Sequence, residues 1–167
     1  KTNGLKSPQY YSIRFSKALK KMNIEFELIH HKLYIEEGLP DRVTRFEVTD
    51  GYNLLLLNIS KNITNNFFYR IGIGTVVAHP YIIVDEETNY IEGGELIPKF
   101  WDNGYHWGGS STQISAFYKN NFNDKWSYQI ESKIIYASAT VPIQGGEVLI
   151  PNTSIHILFG FSRKLKG

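Results

Sequence analysis

Five histidines stand in a chain of 167 residues that has no cysteine. His30 and His31 are adjacent, His79 precedes a proline, His106 sits in a Trp- and Gly-rich stretch, and His156 interrupts an apolar run. Asp50 and Asn53 fall between the first pair and His79. An imidazole within reach of a carboxylate can take up and return a proton near neutral pH, while the carboxylate fixes its tautomer and orientation. His31 or His156 could act as such a base, with Asp50 or a glutamate as orienter and Asn53 and His79 beside them. The competing reading is that these side chains decorate an interface, since no serine stands in a recognisable nucleophile context. Their wide separation in sequence leaves the decision to the fold.

A second constellation is acidic. "VDEETNYIEGGE" carries Asp85, Glu86, Glu87, Glu92 and Glu95. Hard cations take carboxylate oxygens, so Asp85, Glu86 and Glu87 are candidate ligands for a calcium or magnesium ion bridging to lipid phosphates. The Asp-x-Asp-x-Asp-Gly run of an EF-hand is absent, and a solvated acidic loop explains the same residues. The following "KFWDNGYHWGGSS" has the Trp, Tyr and Gly of loops that touch sugar or protein. No cofactor is expected. A net charge of +2 provides no field for nucleic acid, which is not an expected partner.

These residues must be positioned by strands. The longest apolar run falls far short of the ~20 residues of a transmembrane helix, but membrane strands need only ~9–11. Period-two alternation predicts seven strands in one domain, 1–167. "YYSIRFSK" sets Tyr11, Ile13 and Phe15 against Arg14, and "NIEFELIHHKLY" sets Ile24, Phe26 and Leu28 against Glu25, Glu27 and His31. "VTRFEVTDGYNLLLLNIS" changes phase near Gly51, as a bulge or glycine kink would make it do. "FFYRIGIGTVV" opposes Ile71 and Ile73 to Arg70 and two glycines, and "STQISAFYK" is a fainter copy. "KWSYQIESKIIYAS" opposes Ile130 and Ile134 to Glu131 and Lys133, and "SIHILFGFSRKL" opposes Ile157 and Phe159 to His156 and Gly160. No segment reads as a long amphipathic helix.

One face of these strands is Tyr, Trp, Phe, Ile and Leu. The other carries Arg14, Glu25, Glu27, Arg70, Glu131 and Lys133, three of each sign, among Gly, Ser and Gln. Small residues and balanced charges suit a crowded barrel interior better than a solvated surface. The apolar face would then meet lipid. Three connections, "KALKKMN", "SKNITNN" and "KNNFNDK", are short; they alternate with longer ones at 37–42, 84–110 and 143–152. Over residues 9–165 this alternation and loop asymmetry resembles the small outer-membrane β-barrel proteins of Gram-negative bacteria. The resemblance implies an antiparallel up-and-down transmembrane β-barrel in the outer membrane, its short turns periplasmic and residues 84–110 extracellular.

Such barrels have an even number of strands, so an eighth is expected upstream of Lys1. On this topology His31, Asp50, Asn53, His79 and His156 gather near the outer rim. His31 and His156 point inward by parity, and His79 joins them only if Pro80 bends the strand end. Three functions fit. The first is a non-porin barrel, structural or partner-binding through its outer loops, with membrane lipid, lipopolysaccharide or another outer-membrane protein as partner. The second is an enzyme modifying lipopolysaccharide or phospholipid at the rim. The third is a soluble lipocalin-like barrel holding an apolar ligand. The histidine–serine signatures of small-barrel lipid A deacylases and palmitoyl transferases are not found in the chain.

Overall fold

The computed structural model describes residues 10–35, 39, 41–85, 87–88, 104–143 and 146–165, without the side chains of 49, 50 and 88. Its strands are β1 (Tyr11–Ala18), β2 (Asn23–Ile35), β3 (Val43–Asn62), β4 (Phe67–Ala78), β5 (Tyr81–Val84), β6 (Glu87–Thr88), β7 (His106–Asn121), β8 (Trp126–Ile143) and β9 (Gly146–Arg163). All pairings are antiparallel, and the described residues contain no helix. The main path is β1-β2-β3-β4-β7-β8-β9, an up-and-down meander in which chain neighbours are sheet neighbours. All seven expected strands are present. Two short ones, β5 and β6, were not foreseen; β5 pairs with the first residues of β3.

Turn chemistry explains the short end. Asn123 Oδ1 accepts from the backbone N–H groups of Lys125 and Trp126, both at 2.9 Å. Thr64 Oγ1 accepts from Asn66 and Phe67 N–H at 3.4 and 3.2 Å. These side chains stand in for backbone partners and reverse the strand within four residues, 63–66 and 122–125. At the other end, 146–152 of the expected long connection at 143–152 are strand. Ile143 pairs with Gly146, and β8 and β9 run on as one hairpin. Its prolines hid this continuation. Pro142 lies beyond the last β7 partner of β8, and Pro151 lies on an edge strand, so neither removes a needed ladder donor on both sides.

Gly51 marks the irregularity foreseen in the third strand, with φ at 138°. His31 pairs with Tyr52 and Leu33 with Val48, so three residues of β3 face one of β2. Two extra residues leave parity unchanged, and Val48, Tyr52, Leu54 and Leu56 are all buried. Of the four leucines, only Leu55 and Leu57 point outward; Leu57 is exposed.

The sheet curls into a half-barrel. Arg14 on β1 reaches Glu131 on β8 at 2.9 Å, and Tyr10 stacks on His156 of β9 at 4.8 Å. Charged side chains fill the concave side near the short turns. An apolar cluster including Leu33, Val48, Tyr52, Ile135, Val141 and Ile150 fills it near the longer connections. The convex side carries exposed Ile24, Phe26, Ile71, Ile73, Ile114, Ile130, Ile134, Ile157 and Phe159. Apolar residues therefore face out, and charges face in.

Curling brings β3 and β4 very close at Gly74, where a Cβ would lie 2.0 Å from the Leu55 carbonyl oxygen. Gly74→Ala is expected to destabilise the protein by about 1–3 kcal/mol, the usual cost of overpacking. Gly146→Ala, with nothing within 4 Å of its Cβ, should stay within about 0.5 kcal/mol of wild type. Denaturant unfolding of both variants checks the difference.

Candidate functional site

Glu27 lies at the centre of the concave face with its side chain fully buried. Inward parity on β2 puts Glu25 on one side of it and Ile29 and His31 on the other. Its Oε1 accepts from Ser12 at 2.7 Å, Arg14 at 2.5 Å and Lys133 at 2.7 Å. Its Oε2 accepts from Asn58 at 3.0 Å and Gln113 at 2.7 Å. Five donors from four other strands converge on one carboxylate.

The remaining charges close the set. Arg70 bonds to both Glu25 and Glu131, and its guanidinium lies 4.3 Å over the Phe117 ring. Lys133 Nζ is also 3.6 Å from Glu131. Ser60 donates to Glu25 at 2.8 Å, and Gln113 donates to Asn58 at 2.6 Å. The six residues singled out by charge and parity are thus one neutral network. Asn58 and Gln113 extend it, and both were readable from inward parity: Asn58 as the polar residue inside an apolar run, Gln113 as the polar neighbour of Ile114.

Above the network is a shelf of rings. His31 stacks on Tyr52 at 5.2 Å and lies 5.8 Å from His156, which also stacks with Tyr10. His156 Nε2 shares a 2.7 Å hydrogen bond with Ser154 Oγ. Tyr52 donates its hydroxyl to the Ile150 carbonyl at 2.9 Å. His31 Nε2 has no hydrogen-bond partner among the described residues. The fold therefore brings His31 and His156 together and adds Ser154, which has no sequence context of its own. On one strand, i and i+2 share a face, and that parity is the only sequence signal for the pair.

The other candidates lie elsewhere. Asn53 is on the convex side, where its Oδ1 is 2.7 Å from His30 Nδ1 and Tyr11 stacks on His30 at 4.9 Å. His79 follows the end of β4, is buried, and packs edge-on against Tyr105 at 4.9 Å. Pro80 does break the strand, but the chain runs on in the same direction as β5, from Ala78 opposite Tyr52 to Tyr81 opposite Glu47, and stays alongside β3. The Asp50 side chain falls outside the described residues.

Of the acidic candidates, Asp85 is bound by Arg42, whose hydrogen bonds and charge hold its carboxyl below the usual carboxylate range. Glu87 is exposed on β6, and Glu86 lies outside the described residues. Among the described residues no three His, Cys, Asp or Glu side chains are grouped to hold a metal ion. A proton relay between Ser154 and His156 is the chemistry this interior can offer; the network below it is structural, every carboxylate being bound to a cation. Comparison with protein-family models, with curated proteins and with solved structures finds no match for this chain.

Removing one member of a buried, neutral set strands its partner in a poorly solvated place. Lys133→Met should cost about 3–5 kcal/mol. Adding Glu27→Gln to it restores neutrality and should recover part of that loss. Equilibrium unfolding of the single and double variants tests this; strictly additive costs would show that the two side chains are not coupled.

Proposed function

We propose that this chain is the main part of an eight-stranded outer-membrane β-barrel, non-porin in function, that anchors or binds a partner through its outer end. The carrying observation is the inside-out sidedness: a continuous exposed apolar belt around a buried, neutral charge network. On β8 the outward positions from Trp126 to Tyr136 are aromatic or aliphatic except Ser132. That length fits the ~9–11 residues of a membrane strand.

Hydroxyls border the belt on one side. Thr112 pairs with Tyr136, Tyr136 with Thr153, and Ser110 with Ser138. On the short-turn side Lys17, Lys61 and Arg163 follow, with Arg163 lying 5.7 Å over the Trp126 ring. Aromatics and long cations at the edge of an apolar band are the interfacial pattern of membrane barrels. Among the described residues no helix is long and apolar enough to cross a membrane.

A charge network across the interior favours anchoring or binding over conduction, since side chains suffice to fill much of a barrel of about eight strands. The partner is membrane lipid and lipopolysaccharide, or another outer-membrane protein met by the longer connections. The lipocalin-like reading is less favoured, because an apolar ligand on the concave side would meet Arg14, Glu25, Arg70 and Lys119. Spin labels at Ile71 and Ile134 are expected to be accessible to oxygen and shielded from aqueous relaxers in vesicles. Ile71→Arg should cost about 2–4 kcal/mol near the bilayer midplane. Water contact at both labels, with a protein stable free of detergent, would sink the membrane reading.

One observation supports a second reading, an enzyme modifying lipopolysaccharide or phospholipid: the hydrogen bond between Ser154 and His156 beside His31. On that reading His31→Ala and Ser154→Ala each abolish a lipid modification while the barrel still folds. If both changes alter stability and no lipid species differs by mass spectrometry, the rings are packing only.

A further inference from the structure

One charge on the concave side stands outside the neutral network. Lys119 of β7 has the inward parity of Ser115 and Phe117 and is half-buried. Among the described residues its ammonium has no hydrogen bond and no ion pair. Glu25 attracts it, but that carboxylate is already bound by Arg70, and the cations of Arg70 and Arg14 repel it. Arg14, Arg70 and Lys133 cancel Glu25, Glu27 and Glu131, so Lys119 is a positive charge in excess.

Lys119 lines a cavity of about 650 Å³ on the concave side, between the charge network and the short turns. Arg14, Glu25 and Arg70 border it from the network, and Ser16, Asn65 and Asn121 border it near the turns. The side chains of those last three have no hydrogen-bond partner among the described residues. Arg14 Nε also lacks one there and lies 3.9 Å from Glu25 Oε2. Phe68 and Phe117 form part of the wall, their rings stacked at 5.0 Å. Phe117 and Lys119 are two residues apart on one strand and so share a face. A cation therefore stands beside an aromatic surface, in a cavity that also offers unused hydroxyl and amide groups.

We propose that this cavity binds a sugar acid, a small organic monoanion whose carboxylate is taken by Lys119 and whose hydroxyl-bearing ring lies against Phe68 and Phe117. The site is separate from the histidine shelf. It does not depend on what meets the convex belt.

Charge sets the first requirement. One uncompensated cation matches one negative charge, and a dianion would bring a second charge toward Glu25, which borders the same space. The wall sets the next. The apolar face of a sugar ring packs on an aromatic ring, while its hydroxyls reach partners that both donate and accept, as Ser and Asn do. An acid with a purely apolar body would leave those hydroxyl and amide groups without water or partner. Size agrees, since small-molecule sites occupy about 300–1,000 Å³. A lysine serving only the aqueous edge has an outward place available, as Lys61 shows on β3, where it is exposed.

Titration calorimetry of the full-length protein tests this, in detergent micelles or in buffer alone, whichever holds it in solution. Galacturonate and glucuronate are the probes. At least one should bind at a single site per chain. It should bind about tenfold or more tightly than galactose, which lacks the carboxylate, and than acetate, which lacks the ring. Lys119→Gln should weaken binding by a similar factor, and Lys119→Arg should retain it. Asn121→Asp, two residues along the same face, sets a carboxylate beside Lys119 and should block the sugar acid with the lysine still present. Lys61→Gln should change nothing. Because Lys119 bonds to no member of the network, its variants should keep the wild-type unfolding midpoint.

No saturable binding of either sugar acid would overturn the proposal. So would equal binding of galactose or acetate, or undiminished binding by Lys119→Gln. A lowered unfolding midpoint in Lys119→Gln with binding intact would make the lysine structural and overturn it as well.

Discussion

The structure depends on burying charge without leaving any of it alone. Glu27 is the point where this is achieved, because its two oxygens collect donors from β1, β3, β7 and β8 while it stands on β2. A carboxylate out of water is unfavourable by several kcal/mol unless bound on most of its lone pairs. The only way to supply five donors is to curl the sheet until distant strands face each other. Curvature and charge pairing are therefore one requirement. The contact from Arg14 to Glu131 spans the concavity and fixes how far β1 swings toward β8.

Two kinds of interior are stacked within one sheet. Near the short turns the filling is ionic, and near the longer connections it is Leu, Val, Ile, Ala and Tyr52. The outer surface changes over the same strands, from exposed aliphatic and aromatic side chains to Ser and Thr. On the proposed membrane reading, an ionic interior under an apolar belt, continuing into an apolar interior under a hydroxylated surface, corresponds to strands that cross lipid and extend beyond it into water. β3, β8 and β9 have 20, 18 and 18 residues, about twice the ~9–11 of a membrane strand, which on the same reading is that extension.

The imidazole shelf sits at the junction of these two interiors. Its rings are held by stacking, with Tyr10, His156, His31 and Tyr52 in succession. Stacked rings bridge the change from polar to apolar filling, since each has an apolar face and a polar edge. That role accounts for burial and spacing without chemistry. The hydroxyl of Ser154 against His156 is the one contact that stacking alone does not require.

How much of this was legible in the sequence differs by feature. Alternation alone placed Ile71 against Arg70 and Ile134 against Lys133, because a strand's side chains take opposite faces whatever it packs against. Equal numbers of Arg or Lys and Glu on one face also told that those six residues belong together. Chain order gave the meander. Sequence did not tell that 146–152 is strand, because Pro142 and Pro151 are acceptable only once one knows that each has an unpaired side. Parity separated His31 and His156 from His30, but not Asn53, which lies just past the irregularity at Gly51 and whose outward face is settled only by the register of β3 against β2. Leu54 and Leu56 went inside and Leu57 outside for the same reason. Local period is written in the chain, whereas the pairing of Ser154 with His156 and the meeting of five donors at Glu27 arise only when the sheet bends and brings remote strands within hydrogen-bond reach.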